Sequence, residues 1–103
     1  MARPLQHPNA DDIGLDGILH ALTDPVRRSI VAKLLAKGEM NCGETCDDMA
    51  PSTISHHHRI LRESGLIRSE KRGVAVVNSV RRAEIEARFP GLLDAILQHR
   101  TLR

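Results

Sequence analysis

Aromatic side chains are almost absent from this chain of 103 residues, which has one Phe, Phe89, and neither Tyr nor Trp. The core must therefore be built from Leu, Ile, Val and Met, and binding of single-stranded nucleic acid by base stacking is disfavoured. The sequence also lacks an apolar run of about 18 residues and an apolar N-terminal stretch of the signal-peptide kind. We therefore expect a soluble, cytoplasmic protein.

Cysteine is scarce as well, because only Cys42 and Cys46 are present. Two cysteines four positions apart cannot form a disulfide scaffold, and they suit a reducing compartment. No glycine-rich phosphate loop, H-E-x-x-H or C-x-x-C motif occurs, and the best catalytic pair would be one of these cysteines with a histidine from residues 56–58. We predict that the protein is not an enzyme.

Positive charge is concentrated in the middle of the chain. The whole sequence has a formal net charge of +2, but residues 51–82 contain seven Lys or Arg and two Glu, whereas residues 1–50 are net acidic. A basic segment on an otherwise nearly neutral domain indicates a surface that contacts phosphate, although a merely solvated face can have the same composition.

The chain has the length of one domain. Residues 1–12 contain two prolines and no apolar period, which predicts a flexible N-terminal arm. Residues 13–99 would form the folded domain, and residues 100–103 a C-terminal tail.

Helical signals dominate the first half of that domain. Apolar residues at helical spacing predict a first helix over residues 15–22, and Asp24 and Pro25 mark the start of a second helix that ends at Gly38. Residues 39–49 have weak periodicity and predict at most a short helix. Residues 50–65 have Pro51 and Ser52 near their start, end on Gly65 and predict another helix.

The helix over residues 50–65 has two distinct faces. At 100° per residue, one face is largely apolar and the other is polar and basic. The apolar side also carries two histidines. The first face contains Ile54, His57, His58, Ile60 and Leu61, and the second contains Ser52, Ser55, His56, Arg59 and Arg62.

Two β-prone runs follow, at residues 66–70 and 74–80, and predict a hairpin whose tip, residues 71–73, is basic. The last element is helical and is broken by Pro90 and Gly91. The predicted fold is therefore mostly α with a small β-hairpin wing (α+β), a winged helix-turn-helix, and dimeric.

Two stretches resemble the ArsR/SmtB family of transcriptional repressors. Residues 21–30, ALTDPVRRSI, are similar to the family's opening pattern A-L-x-D-P-x-R-x-x-I. Residues 52–67, STISHHHRILRESGLI, resemble its recognition helix and exit, S-x-x-S-x-H-x-x-x-L-x-x-x-G-L-I/V. The resemblance implies a homodimer that places two recognition helices in successive major grooves of a near-palindromic operator, with the wings on the flanking DNA.

Carried over position by position, the resemblance assigns a set of DNA contacts. Arg59 is the candidate for guanine readout, because a guanidinium can bond O6 and N7 together. Arg62 and the two wing cations would hold phosphates, which position the protein without reading sequence. The full set is Ser52, Thr53, Ser55, His56, Arg59, Arg62, Lys71 and Arg72.

The chain departs from the family pattern at two points. The wing has Lys71-Arg72-Gly73 where the family commonly has E-G-R, so the positive charge precedes the glycine. His58 replaces the usual Leu or Phe, and we expect it to be a packed, neutral core histidine, with pH sensing as the less favoured alternative.

Two apolar stripes are assigned to a dimer interface, because together they exceed what so small a domain needs. The alternative is that both stripes pack in the core of the monomer. The residues are Leu15, Ile18, Leu19, Leu22, Leu92, Leu93, Ile96 and Leu97.

Relatives that bind metals or metalloids do so through E-L-C-x-C-D-L on the third helix, and here Cys42 and Cys46 stand in that region with a different spacing. They are candidates for a metal or metalloid site that would need further ligands, for reversible thiol oxidation, or for packing alone. The C-terminal metal site of the family is judged absent, because only Asp94 and His99 remain, at the wrong spacing. No cofactor is required.

The predicted function is sequence-specific binding of double-stranded operator DNA by a homodimeric repressor that an inducer can release. Two alternatives stay open. One is a winged helix used for protein contacts, and the other is a DNA-binding regulator without a sensor site.

Overall fold

The computed structural model describes residues 3–45 and 48–98. Within these residues, the chain forms six α-helices and one four-stranded antiparallel sheet, and a 3-10 turn spans Ala10–Asp12. The helices are α1 (Leu15–Ala21), α2 (Pro25–Lys37), α3 (Cys42–Thr45), α4 (Pro51–Glu63), α5 (Arg82–Arg88) and α6 (Leu92–Leu97). The strands are β1 (Arg3–Pro4), β2 (Met40–Asn41), β3 (Ile67–Arg72) and β4 (Ala75–Val80).

The predicted ends of α2 are confirmed. The Asp24 carboxylate accepts a hydrogen bond from the N–H of Val26 at 2.7 Å, and Pro25 occupies the first turn, where no N–H is needed. Gly38 ends the helix with a φ of 90°, a conformation that side chains with a Cβ rarely adopt. The sequence thus placed α2 correctly because both ends carry local signals.

The sheet has the strand order β1-β3-β4-β2 and contains the predicted hairpin of β3 and β4. Its tip differs from the prediction: Lys71 and Arg72 lie within β3, and the chain turns at Gly73 and the fully exposed Val74. Because successive strand residues point to opposite faces, the two cations project to different sides of the wing. The wing therefore does not have the basic tip that the sequence predicts.

The described part of the N-terminal segment, residues 3–12, differs from the flexible arm that the sequence predicts for residues 1–12. Residues 3–12 have defined structure, since β1 pairs with β3 in the register Arg3 to Lys71 and is followed by the 3-10 turn. The strand β2 was not predicted either; it pairs with β4 on the other side of the hairpin. Two-residue strands have no periodicity that a sequence could display.

The core is aliphatic, as predicted, and one glycine lets the N-terminal segment close over it. Gly65, after the end of α4, has a φ of 88°, and a Cβ there would lie 2.5 Å from Cγ1 of Ile13. Any side chain at this position would strain the backbone and displace a fully buried residue. The hydrophobic core consists of Ile13, Ile18, Ala21, Leu22, Ile30, Val31, Leu34, Ile54, Leu61, Leu66, Ile67, Ile85, Leu93 and Leu97.

That core corrects half of the predicted dimer interface. Ile18, Leu22, Leu93 and Leu97 are buried within the single chain, so they offer no surface to a partner. For these four, the alternative of packing in the monomer is the correct one. The other four keep exposed apolar surface: Leu15 and Leu19 are exposed, and Leu92 and Ile96 are half-buried.

None of the helices in residues 3–45 and 48–98 is long and apolar enough to cross a bilayer.

Candidate nucleic-acid interface

The helix α4 has the two faces that its sequence predicts. Ile54, His57, His58 and Leu61 are buried, and Ile60 is half-buried. The opposite face is open to solvent and borders a shallow depression of about 330 Å³. This exposed face, which we call the basic face, consists of Ser52, Thr53, Ser55, His56, Arg59 and the half-exposed Arg62.

The basic face keeps its positive charge available. Among residues 3–45 and 48–98, neither Arg59 nor Arg62 has a carboxylate partner. An uncompensated guanidinium on an exposed helix face can bond base edges or phosphates without first breaking an internal ion pair.

Beneath the basic face, His58 fastens α4 to α3. Its Nδ1 lies 2.9 Å from the carbonyl oxygen of Ile54, and its Nε2 lies 3.2 Å from the hydroxyl of Thr45. A neutral ring with its proton on Nδ1 donates to Ile54, and its Nε2 then shares the single hydroxyl proton of Thr45 with the carbonyl oxygen of Cys42, which lies 2.8 Å from that hydroxyl. Burial lowers the pKa of His58 below its ordinary value, and the nearby charge of Arg62 adds to that effect. The prediction of a packed core histidine is confirmed.

Arg27, on α2, connects α4 to the end of α1. This buried side chain donates from Nε to the carbonyl oxygen of Ala21 at 2.6 Å, at the end of α1. Its Nη1 lies 3.8 Å from the carboxylate of Asp24 and 3.4 Å from Nδ1 of His57. Although burial opposes ionisation, the N–H groups of Val26 and Arg27 and the guanidinium charge hold the pKa of Asp24 below its ordinary value. The motif D-P-x-R thus positions α4.

On the wing, Arg72 is held by two carboxylates. It binds both oxygens of Glu39, at 3.0 and 2.9 Å, and one oxygen of Glu70, at 2.7 Å. These contacts raise the pKa of Arg72 above its already high value and fix its side chain against the start of β2. Arg72 is therefore less free to bind phosphate than Arg59 or Arg62. Lys71 is exposed and has no ion-pair partner among the described residues.

Residues outside the predicted set also lie near the interface. Arg68 is half-exposed on β3 and contacts Glu70 at 3.6 Å. The alternation of polar and buried residues along β3 was the signal that could have identified it. Gln6 and His7 lie beside Arg59 and Arg62, and no local pattern in residues 1–12 indicated that position.

The candidate sensor cysteines are only partly described. Cys42 is half-buried in α3, and its Sγ lies 3.3 Å from the Nδ2 of the buried Asn78. Cys46 lies outside the described residues, as does His99. Within the described part of the chain, no three His, Cys, Asp or Glu side chains cluster as metal ligands would.

Known proteins match both the sequence and this geometry. The model of a helix-turn-helix domain family matches residues 22–70. The uncharacterized HTH-type transcriptional regulator YceK of Bacillus subtilis is 32% identical over 82 residues, which cover 77% of this chain and 82% of YceK. The transcriptional repressor SdpR of the same organism is 26% identical over 84 residues, covering 80% of this chain and 92% of SdpR.

A solved structure gives the same result in three dimensions. The crystal structure of an ArsR family transcriptional regulator superposes with a TM-score of 0.66 at 30% identity, over 79% of this chain and 90% of that one. The wing, α4 and these relatives define a winged helix-turn-helix transcriptional regulator that binds DNA, and they place it among regulators rather than enzymes. The chain belongs to the ArsR family, which confirms the resemblance.

Proposed function

We propose that this regulator binds double-stranded operator DNA sequence-specifically as a homodimer in the cytoplasm and represses transcription. The observation that carries this proposal is the basic face of α4, whose arginines have no carboxylate partner in the described part of the chain and whose buried side contacts α2 and α3 through His57 and His58. The name of the relative SdpR, a transcriptional repressor, supports the direction of regulation.

The proposed DNA contacts differ in kind according to the chemistry of each side chain. Arg59 reads guanine, while Ser52, Ser55 and His56 face the other base edges. Arg62 and Lys71 bind phosphates and set the register. Arg72 instead braces the wing through Glu39 and Glu70.

The homodimer rests on the apolar surface that remains exposed on α1 and α6. A two-fold dimer would place its recognition helices in half-sites one helical turn apart, about 34 Å, on a near-palindromic operator. The exposed leucines of α1, Leu15 and Leu19, are the surface that such a partner would cover.

Fluorescence anisotropy tests the proposal. The protein is titrated onto duplex DNA from upstream of its own gene and onto a shuffled duplex, near physiological salt. We expect a Kd well below micromolar for the first duplex, much weaker binding to the second, and affinity that falls steeply with salt because phosphate contacts release counterions. Equal weak binding to both would contradict the proposal, and salt-insensitive binding to a protein partner would favour a docking function.

Release by an inducer is the second part of the proposal, with Cys42 and Cys46 as candidates for binding a metal or metalloid or for oxidation. Replacing both by Ser should leave DNA binding of the untreated protein intact. If thiols are the sensor, the double variant loses the response to added metal, metalloid or oxidant. A retained response would show that the regulator does not sense through them.

A further inference from the structure

The N-terminal segment is held by strand pairing with β3 and by three hydrogen bonds to Ser69 and Arg81. Its strand β1 pairs with β3, and the N–H of Leu5 donates to the carbonyl oxygen of Ser69 at 2.9 Å. The N–H of Ser69 donates in turn to Nε2 of His7 at 2.8 Å, and Arg81 donates to the carbonyl oxygen of Pro8 at 2.8 Å. These contacts hold residues 3–8 against β3 and the residue that follows β4, Arg81.

Between this segment and α4 runs an open groove, which we call the N-terminal groove. Residues 5–8 form one wall, and Arg59, Arg62 and Glu63 form the other, around a volume of about 460 Å³. Two of these residues, Arg59 and Arg62, also border the depression on the basic face. The groove is thus continuous with the surface that faces DNA.

The charge around the groove is positive. Arg59 and Arg62 have no carboxylate partner among the described residues, and Glu63 is the one acidic residue that lines it. Burial lowers the pKa of His7 below its ordinary value, and the nearby charges of Arg68, Arg81 and Arg62 add to that effect. His7 therefore stays a neutral hydrogen-bond acceptor for the wing, and the arginines supply the charge.

We propose that the N-terminal groove binds a phosphate of the DNA backbone beside the bases that α4 reads, so that residues 5–8 form a second wall of the DNA interface. This inference rests on the proposed function. An open, cationic groove continuous with the reading face suits a polymer backbone, and Leu5 and Pro8 offer apolar contact to the sugar. Gln6 is exposed in the wall and carries no charge of its own.

Opposite charges at Gln6 test the proposal. Gln6→Glu should weaken DNA binding about three- to tenfold at low salt, and Gln6→Lys should strengthen it by a similar factor and steepen the salt slope by about 0.9 for each added phosphate contact. Because a phosphate contact does not read sequence, both factors should be equal on operator and shuffled DNA. Damage to the fold would weaken both variants instead of moving them in opposite directions.

Glu63→Gln supplies a second test, with Glu86→Gln on α5 as its matched control. Both remove one negative charge, and the amide of the control can still accept the N–H of Gly91. Glu63→Gln should tighten binding about threefold beyond the control, since it removes repulsion of phosphate. Suppose that the unaltered protein binds its operator, but Gln6→Glu, Gln6→Lys and Glu63→Gln all have the DNA affinity of the control Glu86→Gln. The groove proposal is then wrong, while the proposed function stands. Effects confined to operator DNA would contradict a phosphate contact.

Discussion

His58 is held neutral by its surroundings, because burial penalises the charged ring and the nearby positive charge of Arg62 adds to that penalty. Since its folded pKa is depressed, the unfolded chain binds more protons near the ordinary value of 6.5. Stability is therefore full above pH 6.5 and is lost as the pH falls toward the folded pKa. His7 contributes in the same direction.

We expect the urea midpoint of the protein to fall as the pH is lowered below 6.5, and the fall to be smaller in His58→Leu, which keeps only the His7 part of the two histidine contributions. Long-range ¹H–¹⁵N NMR of the histidine rings gives the direct measurement. It should show the Nδ1–H tautomer of His58 at pH 7. A ring that titrates at or above 6.5 would contradict this account of the buried histidine.

Substitution of Arg59 should reduce recognition of the operator sequence without changing the stability of the fold. Arg59 is exposed and forms no ion pair within residues 3–45 and 48–98, so Arg59→Ala should leave the thermal midpoint unchanged. A lost bidentate contact to guanine should cost about 1 to 3 kcal/mol of operator affinity and relax the preference at one base pair. Anisotropy on operators substituted at single positions measures this. Arg62→Ala is the comparison and should weaken all duplexes alike; unchanged preference in Arg59→Ala would remove its assignment as the reader.

At the scale of elements, Asp24 caps the start of α2 and also contacts Arg27, which in turn contacts His57 of α4. Asp24→Ala removes the acceptor for two N–H groups and the partner of the buried Arg27. We expect a loss of about 1 to 2 kcal/mol in the free energy of unfolding, at the upper end for a lost cap. Urea denaturation measures it, with the exposed Asp11→Ala as control, expected within about 0.5 kcal/mol of the parent. Equal stability of the two variants would show that the cap contributes little.

The elements also show which parts of the fold a sequence can predict. α2 and α4 have apolar residues at helical spacing and marked ends, and both were placed correctly, together with the two faces of α4. The pairing of Arg72 with Glu39 joins residues 33 positions apart, so no local pattern could reveal it. The N-terminal wall of the groove was missed for the same reason: its position depends on backbone pairing with β3, not on its own side chains.

At the scale of the whole molecule, each of the two predicted apolar stripes lies partly in the core and partly on the surface of the single chain. Helical spacing identifies a face, but it cannot tell whether that face meets its own chain or a second copy. Ile18 and Leu93 are buried in the core of the single chain, whereas the side chains of Leu15 and Leu19 are 43% and 41% exposed. A small domain gains stability by covering such surface in a dimer.

One matched pair of substitutions tests this division. Leu19→Glu places a charge on exposed surface and should give a folded monomer in sedimentation velocity, with near-parental helicity and weak operator binding, because one protomer contacts only one half-site. Leu93→Glu places the same charge at a position only 1% exposed, where an unpaired carboxylate has no compensating partner, and should unfold the chain. A Leu19→Glu protein that stays dimeric would place the interface elsewhere, and a folded, monomeric Leu93→Glu protein would return that residue from the core to the interface.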